Sequence, residues 1–239
     1  MIIAVVAGAT IAATRAFFTS QDVLGTNTLS SGTLSLDLNG AETKIIGLGN
    51  VTGLVPGMST PEGTIIVNNV GTENFAWVGK FLLSGDSQLP KIIYIKDMKM
   101  EFLKPDTTTW EPSDHFIKDG KGYGSWPTYY NSLAASDPLG VISLKTWNEN
   151  YSGMIPPYPF FEGALKPGYQ YKLTFTLAMH TSATNTYMGR TMGLGFQANA
   201  TQINAEAVAD MISGLIGATY PASSVDMTWL NAQIAKQVL

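Results

Sequence analysis

Apolar and polar residues alternate strictly in Thr33-Leu34-Ser35-Leu36-Asp37-Leu38, which predicts a strand with one buried face. The clearest case is Tyr169 to Leu177, where odd positions are apolar and even ones polar after a Lys166-Pro167-Gly168 turn. Met192, Leu194, Phe196 and Ala198 alternate again, with Gly193 and Gly195 between them. Ile65-Ile66-Val67 runs into an Asn68-Asn69-Val70-Gly71 turn. Phe75–Leu83 and Ile92–Leu103 are longer apolar runs; in the second, Met98, Met100 and Phe102 alternate with Lys99 and Glu101. Several strands separated by turn signals predict a mainly β chain, a jelly-roll-like β-sandwich.

The helical period appears only near the C-terminus. Asn204 is placed to cap a helix with Val208, Met211, Ile212 and Leu215 on one face, ending near Gly217. Asp226 or Ser224 starts a second, with Leu230, Ile234 and Val238 in register. These short helices are expected to close the core or cover a sheet edge.

The front of the chain is different. Residues 2–14 are mostly apolar, broken by Gly8 and two threonines, and no charge precedes Arg15. Three readings compete. A membrane-spanning helix needs roughly 20 apolar residues, and this run is shorter. A signal peptide fits the length but wants a basic start, and the chain opens Met1-Ile2-Ile3. An extended strand suits the β-branched side chains, and about 15 residues at roughly 3.3 Å each would cross into a neighbouring subunit. The third reading makes residues 1–24 a donor strand, with Ile2, Ile3, Val5, Val6, Ile11, Phe17 and Phe18 as its inter-subunit contacts. Residues 25–239 are then one sandwich domain, with an insertion at 104–164 and a helical segment at 204–239.

The insertion carries Trp110, Trp126, Tyr129, Tyr130 and Trp147 and the run Pro156-Pro157-Tyr158-Pro159. So many aromatics call for burial, either against another subunit or as a cap on the chain's own sandwich.

Composition narrows the function. Charged residues make up 13 % of the 239, roughly half the usual share, so neighbouring subunits or glycans are expected to cover much of the surface. The net charge of −4 argues against a nucleic-acid partner. With no cysteine there is no disulfide, thiol nucleophile or thiolate metal site. His115 and His180 are the two histidines, and neither belongs to a His-Glu-x-x-His helix. No Gly-x-Ser-x-Gly elbow or EF-hand spacing occurs. The residues therefore point to no enzyme, no metal and no cofactor. Three sequons, at Asn50, Asn150 and Asn199, are candidate N-glycan acceptors, with Asn50 and Asn150 expected in loops.

Ala16-Phe17-Phe18, Ser31-Gly32-Thr33-Leu34-Ser35-Leu36, Leu54-Val55-Pro56-Gly57 and Val67-Asn68-Asn69-Val70-Gly71 occur in an order and spacing that resemble the TasA/camelysin family of biofilm-matrix fibre proteins. Asn185-Thr186-Tyr187 through Phe196 to Thr201-Gln202 is similar to that family's last strand. Met58 departs from the pattern, since the family usually has an acidic residue after Pro-Gly. The resemblance implies a secreted jelly-roll subunit whose N-terminal strand complements the next copy. Archaeal bundling pilins are similar in kind. Some family members carry a metallo-endopeptidase label, and this sequence has no metal motif to match it. The expectation is an extracellular homopolymer for biofilm formation or cell–cell adhesion, with no stable membrane span in its mature form. The alternative is a secreted carbohydrate-binding or adhesin module that uses the aromatics of 104–164.

Overall fold

A computed structural model describes residues 33–40, 45–124, 127–149, 161–217 and 219–237. The proposed donor-strand residues Ile2, Ile3, Val5, Val6, Ile11, Phe17 and Phe18 lie outside these, as does Asn150. Among the described residues the chain is mainly β, in two antiparallel sheets. The strands are β1 (Leu36–Leu38), β2 (Ile45–Val51), β3 (Gly63–Asn69), β4 (Phe75–Gly85), β5 (Ile93–Leu103), β6 (Glu111–Lys118) and β7 (Lys121–Gly122). After helices α1 (Pro127–Ser136) and α2 (Leu144–Glu149) come β8 (Phe161–Leu165), β9 (Gln170–Met179) and β10 (Met192–Thr201). Helices α3 (Ala205–Ile216) and α4 (Met227–Lys236) end the chain. One sheet has the order β1-β3-β9-β5-β6-β7 and the other β2-β10-β4-β8.

The sheets pack through their apolar faces, an arrangement compatible with a β-sandwich. The Phe81 ring of β4 meets Phe175 of β9 edge-on at 5.0 Å, and Trp77 lies 6.1 Å from Tyr171. The alternation in β9 and β10 is what makes this possible. Tyr171, Leu173, Phe175 and Leu177 face the core from one sheet, and Met192, Leu194, Phe196 and Ala198 from the other, all buried. Gly63 serves the same layer, because a Cβ there would stand 2.4 Å from Cζ of Phe175.

The described part of the insertion closes one side of the sandwich. β6 and β7 extend the larger sheet. Trp147 of α2 is fully buried and stacks on Tyr130 of α1, with centroids 6.0 Å apart and planes 5° apart. Asn148 Nδ2 reaches the Phe81 carbonyl of the opposite sheet at 3.5 Å.

The C-terminal helices form as the sequence reads. Asn204 accepts from the Ala207 N–H at 2.8 Å, Gly217 ends α3 in the left-handed region, and Asp226 accepts from the Trp229 N–H at 2.8 Å. They do not close the main core. Val208, Ile212, Leu215 and Leu230 make a second cluster with Ala76, Val78 and Ala164, on the outer face of β4 and β8. This explains the unbroken apolar run at Phe75–Val78: β4 is covered on both faces, so no polar residue alternates there. Lys80 Nζ donates to the Leu215 carbonyl at 2.8 Å, and burial holds this amine below its ordinary pKa.

Candidate functional site

A groove of about 600 Å³ opens between the two sheets. Its wall begins at β2, the end strand of the four-stranded sheet among the described residues. β2 carries an irregularity against β10: Gly49 pairs with Leu194 and Gly47 with Gly195, so Leu48 is an extra residue. Leu48 packs against the core and lines the groove.

The chain then crosses from one sheet to the other through the Leu-x-Pro-Gly segment. The Met58 N–H donates to the Val55 carbonyl at 2.9 Å, with Pro56 and Gly57 as the central turn residues. Gly57 takes φ 84°, which the second central position of such a turn requires. Residues 57–60 then pair with the end of β9. Gly57 N–H donates to the Met179 carbonyl at 2.9 Å, and Thr60 N–H to that of Leu177 at 2.8 Å. This fixes Met58, 47 % exposed, at the mouth. Leu54, Phe175, Leu177 and Leu194 form the apolar interior.

Much of the polar chemistry at the rim is committed to the fold. Thr60 Oγ1 accepts from the Leu177 N–H at 3.1 Å. Ser59 Oγ accepts from Lys96 Nζ at 3.3 Å, and the Thr52 and Thr191 hydroxyls bond at 3.1 Å. Glu62 is the charged group on the rim. The arrangement suits an apolar segment better than a polar ligand, which needs convergent free donors and acceptors.

The other sheet ends are short or covered. β1 has three residues and β7 two. Along β8, the Gln237 side-chain amide acts as a strand would: its Nε2 donates to the Ala164 carbonyl at 2.7 Å and its Oε1 accepts from the Lys166 N–H at 2.9 Å. The Tyr169 hydroxyl donates to the Gln237 carbonyl, fastening the same segment. β2, with seven residues, is the longest terminal strand among the described residues.

The sequon at Asn50 does not lie in a loop. Asn50 is the penultimate residue of β2 and is exposed, because the strand runs on to Val51. Asn199 lies within β10, half-buried, paired with Val78. His180 follows β9, and its Nδ1 lies 2.8 Å from Ser182 Oγ while accepting the Ser182 N–H at 3.2 Å. His115 is in β6, paired with Lys99. Among the described residues no group of three or more His, Asp or Glu could hold a metal ion, and no helix is long and apolar enough to cross a membrane.

Sequence reasoning missed β2 and with it one wall of the groove. The two glycines in Ile-Ile-Gly-Leu-Gly-Asn-Val hide its alternation, and the extra Leu48 breaks the period of two. The usable signal was the Leu54-Val55-Pro56-Gly57 turn, which marks the crossing between sheets. No family model, curated protein or solved structure matches the chain.

Proposed function

We propose that this chain is the structural subunit of an extracellular filament that polymerises by donor-strand complementation. In this reading residues 1–24 of one copy lie along β2 of the next, put apolar side chains into the groove, and complete a jelly-roll-like sandwich. The filament serves biofilm formation or cell–cell adhesion, and the chain is not an enzyme and needs no cofactor. The observation that carries the reading is the pairing of a groove of apolar interior and polar rim with a long terminal strand, in a chain whose residues 2–14 are uncharged, mostly apolar and rich in β-branched side chains. The resemblance to the TasA/camelysin family, and in kind to archaeal bundling pilins, points the same way.

A chain lacking residues 1–20 tests this. It should sediment as a folded monomer and give no fibres under the electron microscope. Fibres of normal length from that deletion would sink the proposal.

A secreted carbohydrate-binding or adhesin module is the competing reading, and exposed Tyr123 favours it. Lys118 Nζ lies 5.3 Å from the Tyr123 ring centroid, and the neighbouring aromatics are engaged as well. Tyr130 and Trp147 are in the core, and Lys172 Nζ sits 4.5 Å over the Trp110 ring. Glycan binding by a chain that never polymerises would support the module.

A further inference from the structure

We propose that Asn50 is an N-glycosylation site, its amide exposed near the end of β2 and beside the groove. In Asn50-Val51-Thr52 the strand alternation sends Val51 inward, buried, and leaves Asn50 and Thr52 exposed. The acceptor amide and the hydroxyl that completes the sequon are thus both at the surface.

The residues beside Asn50 on the ladder, Gly193 and then Ser84, are small. Directly across the ladder stands Gly193, where a Cβ would come 3.7 Å from Asn50 Oδ1 and 2.4 Å from Ser84 Oγ. In the next pair, Gly47 and Gly195, a Cβ on Gly47 would meet open space, whereas one on Gly195 would stand 3.1 Å from the Ile46 carbonyl oxygen and 3.5 Å from Leu82 Cβ. Beside Asn50 the space over Gly47 is open, while Ser84 and Leu82 occupy the space over Gly193 and Gly195.

The same tripeptide pattern at Asn199-Ala200-Thr201 is placed differently. Asn199 pairs with Val78, which is buried in the cluster beneath α3, and Thr201 is 8 % exposed. A sugar on Asn199 would have to displace α3. The structure thus separates Asn50 from Asn199 by exposure, although both lie on strands.

In the reaction the Asn50 amide nitrogen bonds to the anomeric carbon of an oligosaccharide carried on a polyisoprenyl phosphate or diphosphate. The bond from that carbon to the phosphate oxygen breaks, its electron pair leaves with the lipid phosphate, and the amide gives up one proton. No oxidant or reductant is involved. A glycan there supplies polar cover to a surface with few charges. The inference rests on the extracellular reading above, since it needs the chain to meet a lipid-linked sugar donor.

The test is mass spectrometry of tryptic peptides from the full chain, isolated from the cells that make it. Residues 45–80 form one peptide with Asn50 as its sequon, and residues 191–236 another with Asn199. Peptide 45–80 should carry a sugar mass, peptide 191–236 none, and Asn50→Gln should return 45–80 to the mass of its bare sequence. Peptide 45–80 found solely at its bare mass, or a sugar on 191–236, would overturn the inference. The two proposals fail separately: bare fibres would leave the filament reading standing, and a glycosylated chain that forms no fibres would leave this one.

Discussion

Asn69 shows how one buried amide can hold two turns. Its Nδ2 donates to the carbonyls of Glu73 at 2.8 Å and Leu165 at 2.9 Å, and its Oδ1 accepts from the Gly71 N–H at 3.0 Å. Next to it the Val70 and Thr72 N–H groups donate to the Ser35 and Thr33 carbonyls, so the approach to β1 is tied to the same turn. Asn69→Ala strands several of these groups. It should cost about 1–3 kcal/mol for each buried group left unpaired, read as a lower midpoint in urea unfolding. The sequence marked this as a turn, but not as a knot, because the Leu165 partner is 96 residues away. A titration can be read at the same scale. Burial pushes the Tyr171 phenol up to about 12, from an ordinary value of 10.0, and Tyr220 likewise to about 12. Folding therefore favours the protonated phenols. The stability they contribute is fully present below about pH 10 and is lost as pH rises through about 12. Stability measured against pH should fall across that window, and Tyr171→Phe should flatten part of the fall. Asp86 acts at the other end of the scale. The Gln88 backbone N–H, and then Arg190, hold its carboxyl below the ordinary 3.8. Its contribution is present above that value and is lost as the pH drops through the depressed one, loosening the 2.8 Å Arg190–Asp86 tie between the β4–β5 and β9–β10 connections.

Elements with a clean period were legible, and those without one were not. β9 and β10 alternate over their lengths, and α3 carries its cap, its apolar stripe and its terminal glycine in the sequence. β2, β6 and β8 were missed for local reasons. β2 has two glycines and an extra residue, β6 is broken by register shifts against β5, and β8 is five residues long. For the helices the sequence left two roles open, closing the core or covering a sheet edge, since amphipathicity tells that a face is buried but not against what; the structure places α4 on β8, an end strand. Their placement on β4 and β8 makes a separable prediction. Leu230→Ala removes a residue of the second cluster and should cost about 2–5 kcal/mol in urea unfolding. Because the Phe81–Phe175–Phe196 layer lies in the other cluster, the near-ultraviolet signature of the main core should survive under native conditions.

The whole molecule is asymmetric in how it finishes its sandwich. One side is closed by α1, α2 and the Trp147–Tyr130 stack, and β8 is sealed by Gln237 and α4. The β2 side keeps a groove, and the residues that the filament reading assigns to it come from another copy. Of the proposed joint the sequence offered only a candidate donor, in residues 2–14; the groove depends on contacts between β2, residues 54–63 and β9 that no local pattern encodes. Because the chain has no cysteine, the joint can be mapped without background. Single cysteines placed in turn at positions 2–18 are mixed with a second copy carrying Met58→Cys and oxidised during assembly. The account predicts disulfide-linked heterodimers whose yield alternates with a period of two along the scan, as the faces of a strand do. Uniformly low yield at every position, no better than with the partner cysteine placed at Lys118 on the far sheet end, would contradict it.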